Sequence, residues 1–134
     1  MGVLEKNLRQ LFRDGKRFPP GTASLCEPGL GSDTGLPDVW LLNGSGFSPL
    51  ELKRGVNPLS NFEPSQRKFH KLSLLRGCPT YCLSIVDEDE CVGFQMALRD
   101  TVHGTELVAI PRFGMGLEEL NYEFLLRSIR KIVE

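Results

Sequence analysis

Apolar residues recur at helical spacing at the start of the chain: Leu4, Leu8, Leu11 and Phe12 form one stripe over residues 3–13, and Asp14-Gly15 ends it. This predicts a first helix. After the breaker Phe18-Pro-Pro-Gly21, a short strand is expected from Thr22 to Cys26, then a long loop through Gly29, Gly31 and Gly35. Two apolar-rich runs follow, Pro37 to Leu42 and Phe47 to Lys53, separated by Asn43-Gly-Ser-Gly46, which has the composition of a tight hairpin turn. Ser60 and Glu63 then stand at capping-box spacing and Pro64 suits a first helical turn. They open a second helix with Phe69, Leu72 and Leu75 inward and Gly77 as its stop. Strands are expected over Thr80 to Val86, Val92 to Leu98 and Glu106 to Ile110, the first ending in the acidic turn Asp87 to Glu90. A closing helix from Leu117 to Val133 has Leu117, Leu120, Phe124 and Ile132 at helical spacing. The order of elements is that of an α/β or α+β fold.

The 134 residues, 40% hydrophobic and 25% charged, suit one globular domain over 1–134 and exclude a disordered or collagenous chain. Apolar runs stop at about four residues, against the roughly 18 of a membrane span. The first residues hold no apolar signal core, and Lys6 stands where a myristoylation signal requires Ser or Thr; a cytoplasmic protein is expected. Net charge is −1, but residues 1–76 carry 11 basic and 7 acidic groups while residues 77–134 carry 5 and 10. A polyanion should therefore meet the N-terminal half. Of the 4 cysteines, Cys26, Cys78, Cys82 and Cys91, no two form Cys-x-x-Cys, so free thiols are expected. Zinc held by Cys78, Cys82, Cys91 and His103 is a minor alternative.

The hairpin allows a site to be derived. Residues paired across an antiparallel ladder have a constant sum and share a face. A two-residue loop at Gly44-Ser45 pairs Asp38 with Glu51; a turn at Asn43-Gly44 makes them diagonal neighbours; an odd-length loop separates them. Lys53 joins Glu51 on its face, with Leu50 and Leu52 on the other. Opposed carboxylates repel unless one is protonated or a cation lies between them, and Mg²⁺ accepts such a pair while keeping positions for phosphate oxygens. The competing interpretation is a surface hairpin with Lys53 as partner of Glu51. What favours the site is the neighbouring strip: from Lys53 to Arg76 six Lys and Arg residues stand against Glu63 alone. Arg54, Arg67, Lys68, His70 and Lys71 are its candidate DNA contacts. Trp40 is expected in the core or an interface rather than as a platform for bases.

In order and spacing, Gly35-Leu-Pro-Asp38, Glu51-Leu-Lys53 and Gln66 at the start of a helix resemble the PD-(D/E)-x-K nuclease superfamily. The Gly-x-Pro-Asp opening and Leu59-Ser-Asn-Phe-Glu-Pro-Ser-Gln66 before a Leu-rich helix are most similar to its VRR-Nuc branch, which includes relatives of Holliday-junction resolvases. The resemblance covers residues 1–86. It implies a restriction-endonuclease-like core, a mixed sheet flanked by helices, and Mg²⁺- or Mn²⁺-dependent phosphodiester hydrolysis in DNA repair or recombination. Asp38 and Glu51 would be metal ligands with the Leu52 backbone carbonyl, and Lys53 would assist the attacking water. Gln66 would position that lysine or the phosphate. Glu5 on the first helix would be a further acidic ligand; the alternative is a Glu5–Arg9 helix pair. His70 stands where one exonuclease branch has Tyr. The expected activity is a structure-specific endonuclease for branched DNA in a bacterial or virus-infected cell, with 92–133 as a homodimer interface. The alternatives are a generic or restriction-type nuclease, an inactive nucleic-acid-binding module, and a protein with no nucleic-acid role.

Overall fold

The computed structural model describes residues 3–26 and 35–132, with side chains from residue 5 onward. Six strands make one mixed sheet in sequence order. They are β1 Ala23–Leu25, β2 Val39–Asn43, β3 Gly46–Arg54, β4 Tyr81–Asp87, β5 Glu90–Thr101 and β6 Gly104–Gly116. Neighbours are antiparallel except β3 and β4, which are parallel. A parallel pair needs a crossover connection. Here it consists of a 3-10 turn at Pro58–Asn61 and helix α2, Pro64–Leu75, while α1 is Val3–Arg13 and α3 is Tyr122–Ile132. The fold is thus mixed α+β. Among the described residues no helix is long and apolar enough to cross a membrane.

Side-chain alternation along β3 divides the interior in two. Leu50 and Leu52 face the main core, with Leu8 and Phe12 of α1, Val39, Leu41, Leu83, Ile85, and Leu125 and Ile129 of α3. Glu51 and Lys53 belong to the opposite face, where α2 packs and the smaller cluster of Phe62, Cys82, Phe94, Met96 and Leu107 lies. Each wholly buried leucine of the main core contributes about 2 kcal/mol by leaving water. That burial holds β3 rigid from below while its other face carries charge.

The hairpin register has Val39 opposite Leu50 and Asn43 opposite Gly46, the arrangement expected for a Gly44-Ser45 loop. Gly44 takes a positive φ of 69°, which a tight hairpin turn requires. Leu8 and Phe12 are buried as the first stripe anticipates. The side chain of Leu4, the loop positions Gly29 and Gly31, and Val133 lie outside the described residues.

Helix α2 departs from expectation. Leu72 and Leu75 are 40% and 63% exposed and Phe69 is only half-buried, whereas His70 is wholly buried. The sheet beneath the first turns of α2 presents Glu51 and Lys53, so the polar Gln66 and His70 take the inward stripe ahead of Leu74. A rule that turns only apolar residues inward misplaces that stripe. The cap also shifts: Glu63 is the N-cap and its N–H donates to Gln66 Oε1, while the Ser60 hydroxyl donates to Asn57 O within the 3-10 turn. Gly77, at φ +80°, ends the helix as expected. The closing helix starts at Tyr122, where Asn121 accepts the Phe124 N–H; Leu117–Glu119 is a separate 3-10 turn. Its fully inward residues are Leu125, Leu126 and Ile129, with Phe124 and Ile132 only part-buried. The apolar periodicity of 92–133 is therefore accounted for largely by the two cores.

Candidate active site

β2 begins at Val39, but β3 runs on to Arg54, so beyond Leu50 one flank of β3 has lost its antiparallel neighbour. Asp38 fills the place where the ladder stops. Its Oδ2 accepts the Leu52 N–H at 2.9 Å and its Oδ1 pairs with the Arg9 guanidinium, which also donates to Cys26 O. An extended residue sends its N–H and C=O to the same side, so the Leu52 carbonyl leaves β3 on the Asp38 flank. Gly35, three residues earlier, has φ +74°, and a Cβ there would clash with Ser65 O. Only glycine lets the segment entering β2 pass so close to the start of α2.

From the other side α2 places Gln66 over the next two residues of the same β3 face. Gln66 Nε2 donates to Glu51 Oε1 at 3.0 Å, and its Oε1 accepts from Lys53 Nζ at 3.0 Å. Lys53 also donates to Asn61 O at 3.0 Å and lies over the Phe62 ring. His70 Nδ1 is 2.7 Å from Thr80 Oγ1, and its Nε2 faces Glu51 Oε2 at 3.7 Å. Glu51 and Lys53 are 1% and 8% exposed, unusual for charged residues unless they are paired.

Burial raises the Glu51 carboxyl to about 10, helped by a hydrogen bond that protonated Glu51 shares with Asp38 and by repulsion from Asp38; Lys53 opposes the shift. Glu5, half-buried in the first turn of α1, is also raised, by burial first and in part by the Asp38 charge. His70 is lowered to about 4 by burial and then by the Lys53 cation. Three carboxyl groups thus feel one another, with Lys53 among them.

The structure therefore brings together Glu5, Asp38, Glu51, Lys53 and Gln66. Arg9 pairs with Asp38, and no Arg9–Glu5 ion pair is found among the described residues. His70 was expected among the DNA contacts; at 0% exposure it cannot touch a phosphate backbone. Arg54, Arg67 and Lys68 are exposed and Lys71 half-buried, with Arg67 also donating to Leu59 O. The zinc alternative fails because Cys82 and Cys91 belong to the cores on opposite faces of the sheet, and His103 is exposed between β5 and β6. Trp40 is half-buried, edge-on to Phe69.

No family model matches this chain, and no curated protein matches it. The site must be judged on its own geometry. Arg9, Asn61 and Thr80 were not anticipated as parts of it. Arg9 had a signal in its i,i+4 spacing from Glu5, but its partner is supplied by the fold. Among the described residues no three His, Cys, Asp or Glu groups close into a ready-made metal cage. A hard divalent cation nevertheless suits the donors. Glu51 Oε2 is buried with no hydrogen-bond partner, and the Glu51 and Glu5 carboxyls, raised first by burial, are raised further by the neighbouring Asp38 charge.

Proposed function

We propose that this protein is a metal-dependent DNA endonuclease of the PD-(D/E)-x-K type, with a restriction-endonuclease-like core, directed to branched DNA. The observation that carries the reading is the buried Glu51 beside the part-exposed Asp38, with Lys53 held next to it by Gln66. Burying the Glu51 carboxyl against the Asp38 charge and an ammonium costs stability, which a phosphate-cleaving site would repay in function. Mg²⁺ or Mn²⁺, held by Asp38, Glu51, the Leu52 carbonyl and Glu5, would supply Lewis acidity and an acidified water. Lys53 uses two of its three donors on Asn61 and Gln66, which leaves one for the attacking water or a phosphate oxygen. Water attacks phosphorus, the P–O3′ bond breaks, and the 3′ oxygen takes a proton from solvent. Arg54, Arg67, Lys68 and Lys71 supply phosphate contacts along α2 and the end of β3. A cytoplasmic location and a homodimer belong to the same reading.

One contact favours the second reading, a binding module that does not cut: Arg9 already neutralises Asp38. Nicking of supercoiled plasmid and of a labelled four-way junction, with Mg²⁺, Mn²⁺ or EDTA, separates the two. The nuclease reading expects metal-dependent cutting that Lys53→Ala and Asp38→Ala abolish. Retained DNA binding without cutting by folded wild type selects the module. Equal cutting of plasmid and junction selects a generic nuclease.

A further inference from the structure

As an acceptor, Glu51 is held from one side only. Gln66 fixes Oε1, while Oε2 points at the ring of His70 and accepts no hydrogen bond from it. Among the described residues, Glu51 Oε2 and His70 Nε2 are the buried side-chain polar atoms without a hydrogen-bond partner, and they face each other at 3.7 Å. Buried polar atoms are normally paired, so two orphans turned on one another call for an explanation. Packing does not provide one. His70 sits among aromatic rings, 5.3 Å from Phe62 and 5.5 Å from Phe69, where phenylalanine would fill the space with nothing polar facing Glu51, at the cost of the Thr80 hydroxyl's partner.

The far side of the ring is better defined. Nδ1 is 2.7 Å from the Thr80 hydroxyl, and Thr80 is wholly buried just ahead of β4. A hydroxyl can donate to Nδ1, which leaves the ring proton of a neutral histidine on Nε2, the nitrogen that faces Glu51. We propose that His70 is a positioning residue for the cation site: Thr80 sets its tautomer, and Nε2–H fixes the Oε2 side of the Glu51 carboxylate. Gln66 then takes a lone pair of Oε1, the His70 N–H faces Oε2 at 3.7 Å, and the remaining lone pairs are left for a cation shared with Asp38. Such outer partners orient metal-binding carboxylates and raise affinity without touching the ion. This inference rests on the nuclease reading.

The test is calorimetric titration of the full chain with Mn²⁺ and with Mg²⁺, without DNA, on wild type, His70→Phe, His70→Gln and Thr80→Val. Each variant is also melted in EDTA. His70→Phe should bind metal about 10- to 100-fold more weakly, while its EDTA melting temperature reports separately the loss of the Thr80 hydroxyl's partner. His70→Gln, which keeps a donor facing Glu51, should recover most of the affinity, and Thr80→Val should lose part of it. Should His70→Phe fail to fold, the comparison of His70→Gln and Thr80→Val with wild type decides. Metal affinity within twofold of wild type in His70→Phe overturns the proposal, as does equal loss in the Phe and Gln variants. Wild type that binds neither metal overturns this inference and the nuclease reading together. Wild type that binds and cuts, beside a His70→Phe variant of unchanged affinity, overturns this inference alone.

Discussion

Replacing Gln66 by alanine tests whether one side chain joins the helix cap to the site. The Gln66 amide accepts from the Glu63 N–H at 2.8 Å and from Lys53 Nζ at 3.0 Å, and donates to Glu51 Oε1 at 3.0 Å. In Gln66→Ala the Glu63 N–H can turn to water, because Glu63 is exposed. That loss costs about 0.5 kcal/mol. Glu51 and Lys53 have no such recourse. Glu51 keeps no donor on either oxygen, and Lys53 keeps only Asn61 O. Leaving a buried group unsatisfied costs about 1–3 kcal/mol, so the total is about 3 kcal/mol. For a chain of this size that lowers the melting temperature by about 10 °C. Gln66→Glu keeps both acceptors but turns a carboxylate towards Glu51, so it should retain the cap and still lose stability above neutral pH. Urea unfolding in EDTA gives the free energies, and plasmid nicking with Mg²⁺ should fall by at least about 100-fold in Gln66→Ala as Lys53 loses its position. A destabilisation under about 0.5 kcal/mol would refute the reasoning, because the three contacts would then carry no net free energy.

Three other outcomes are expected. Gly35→Ala forces a Cβ onto Ser65 O and places alanine at positive φ; it should destabilise by about 2–4 kcal/mol, and thermal melting within 2 °C of wild type, at about 0.5 kcal/mol, would remove the close approach from the account. The Glu51 carboxyl is raised from 4.5 to about 10 on folding, so its contribution is complete below pH 4.5 and is lost as pH rises towards 10. His70, lowered from 6.5 to about 4, opposes this only below pH 6.5. In EDTA, stability should therefore fall between pH 7 and 9 by on the order of 1 kcal/mol per unit, with a flatter profile in Glu51→Gln; parallel profiles would show that Glu51 is not a buried acid. Four phosphate contacts from Arg54, Arg67, Lys68 and Lys71 imply that DNA affinity falls about 100-fold between 50 and 200 mM salt; a flat response in a binding titration would take that strip out of the interface.

Much of this arrangement was legible along the chain because it follows from local rules. Strand alternation and a two-residue turn suffice to put Glu51 and Lys53 on one face and to bring Asp38 level with them. Gly35, Pro64 and Gly77 mark backbone conformations that few other residues adopt. What was not legible depends on what lies beneath an element. His70 was placed outward because charged and polar residues in a helix usually are, and it turns inward because the sheet under α2 is itself polar at that point. The same reversal exposes Leu72 and Leu75. Arg9 could be read as a helix partner of Glu5, but the better acceptor, Asp38, lies 29 positions away and is brought near only by the fold.

Charge accounting explains why these pieces sit together. At the start of β2 the carboxyl groups of Glu5, Asp38 and Glu51 face the cations Arg9 and Lys53. With His70 neutral, the cluster carries one negative charge more than it can balance. Such a cluster favours taking up a positive charge, and a proton on Glu51 is the smallest available; burial first, and then Asp38, raises that carboxyl's pKa and holds the proton there. A divalent cation would do the same while releasing that proton to solvent. Metal binding should therefore tighten as pH rises towards the Glu51 pKa, and the EDTA stability lost over the same interval should return when metal is added. If calorimetry in two buffers of different ionisation enthalpy shows that metal binds with no proton released at pH 7.5, the proton on Glu51 and the cation are not alternatives for one place, and the site is not the one inferred from its charges.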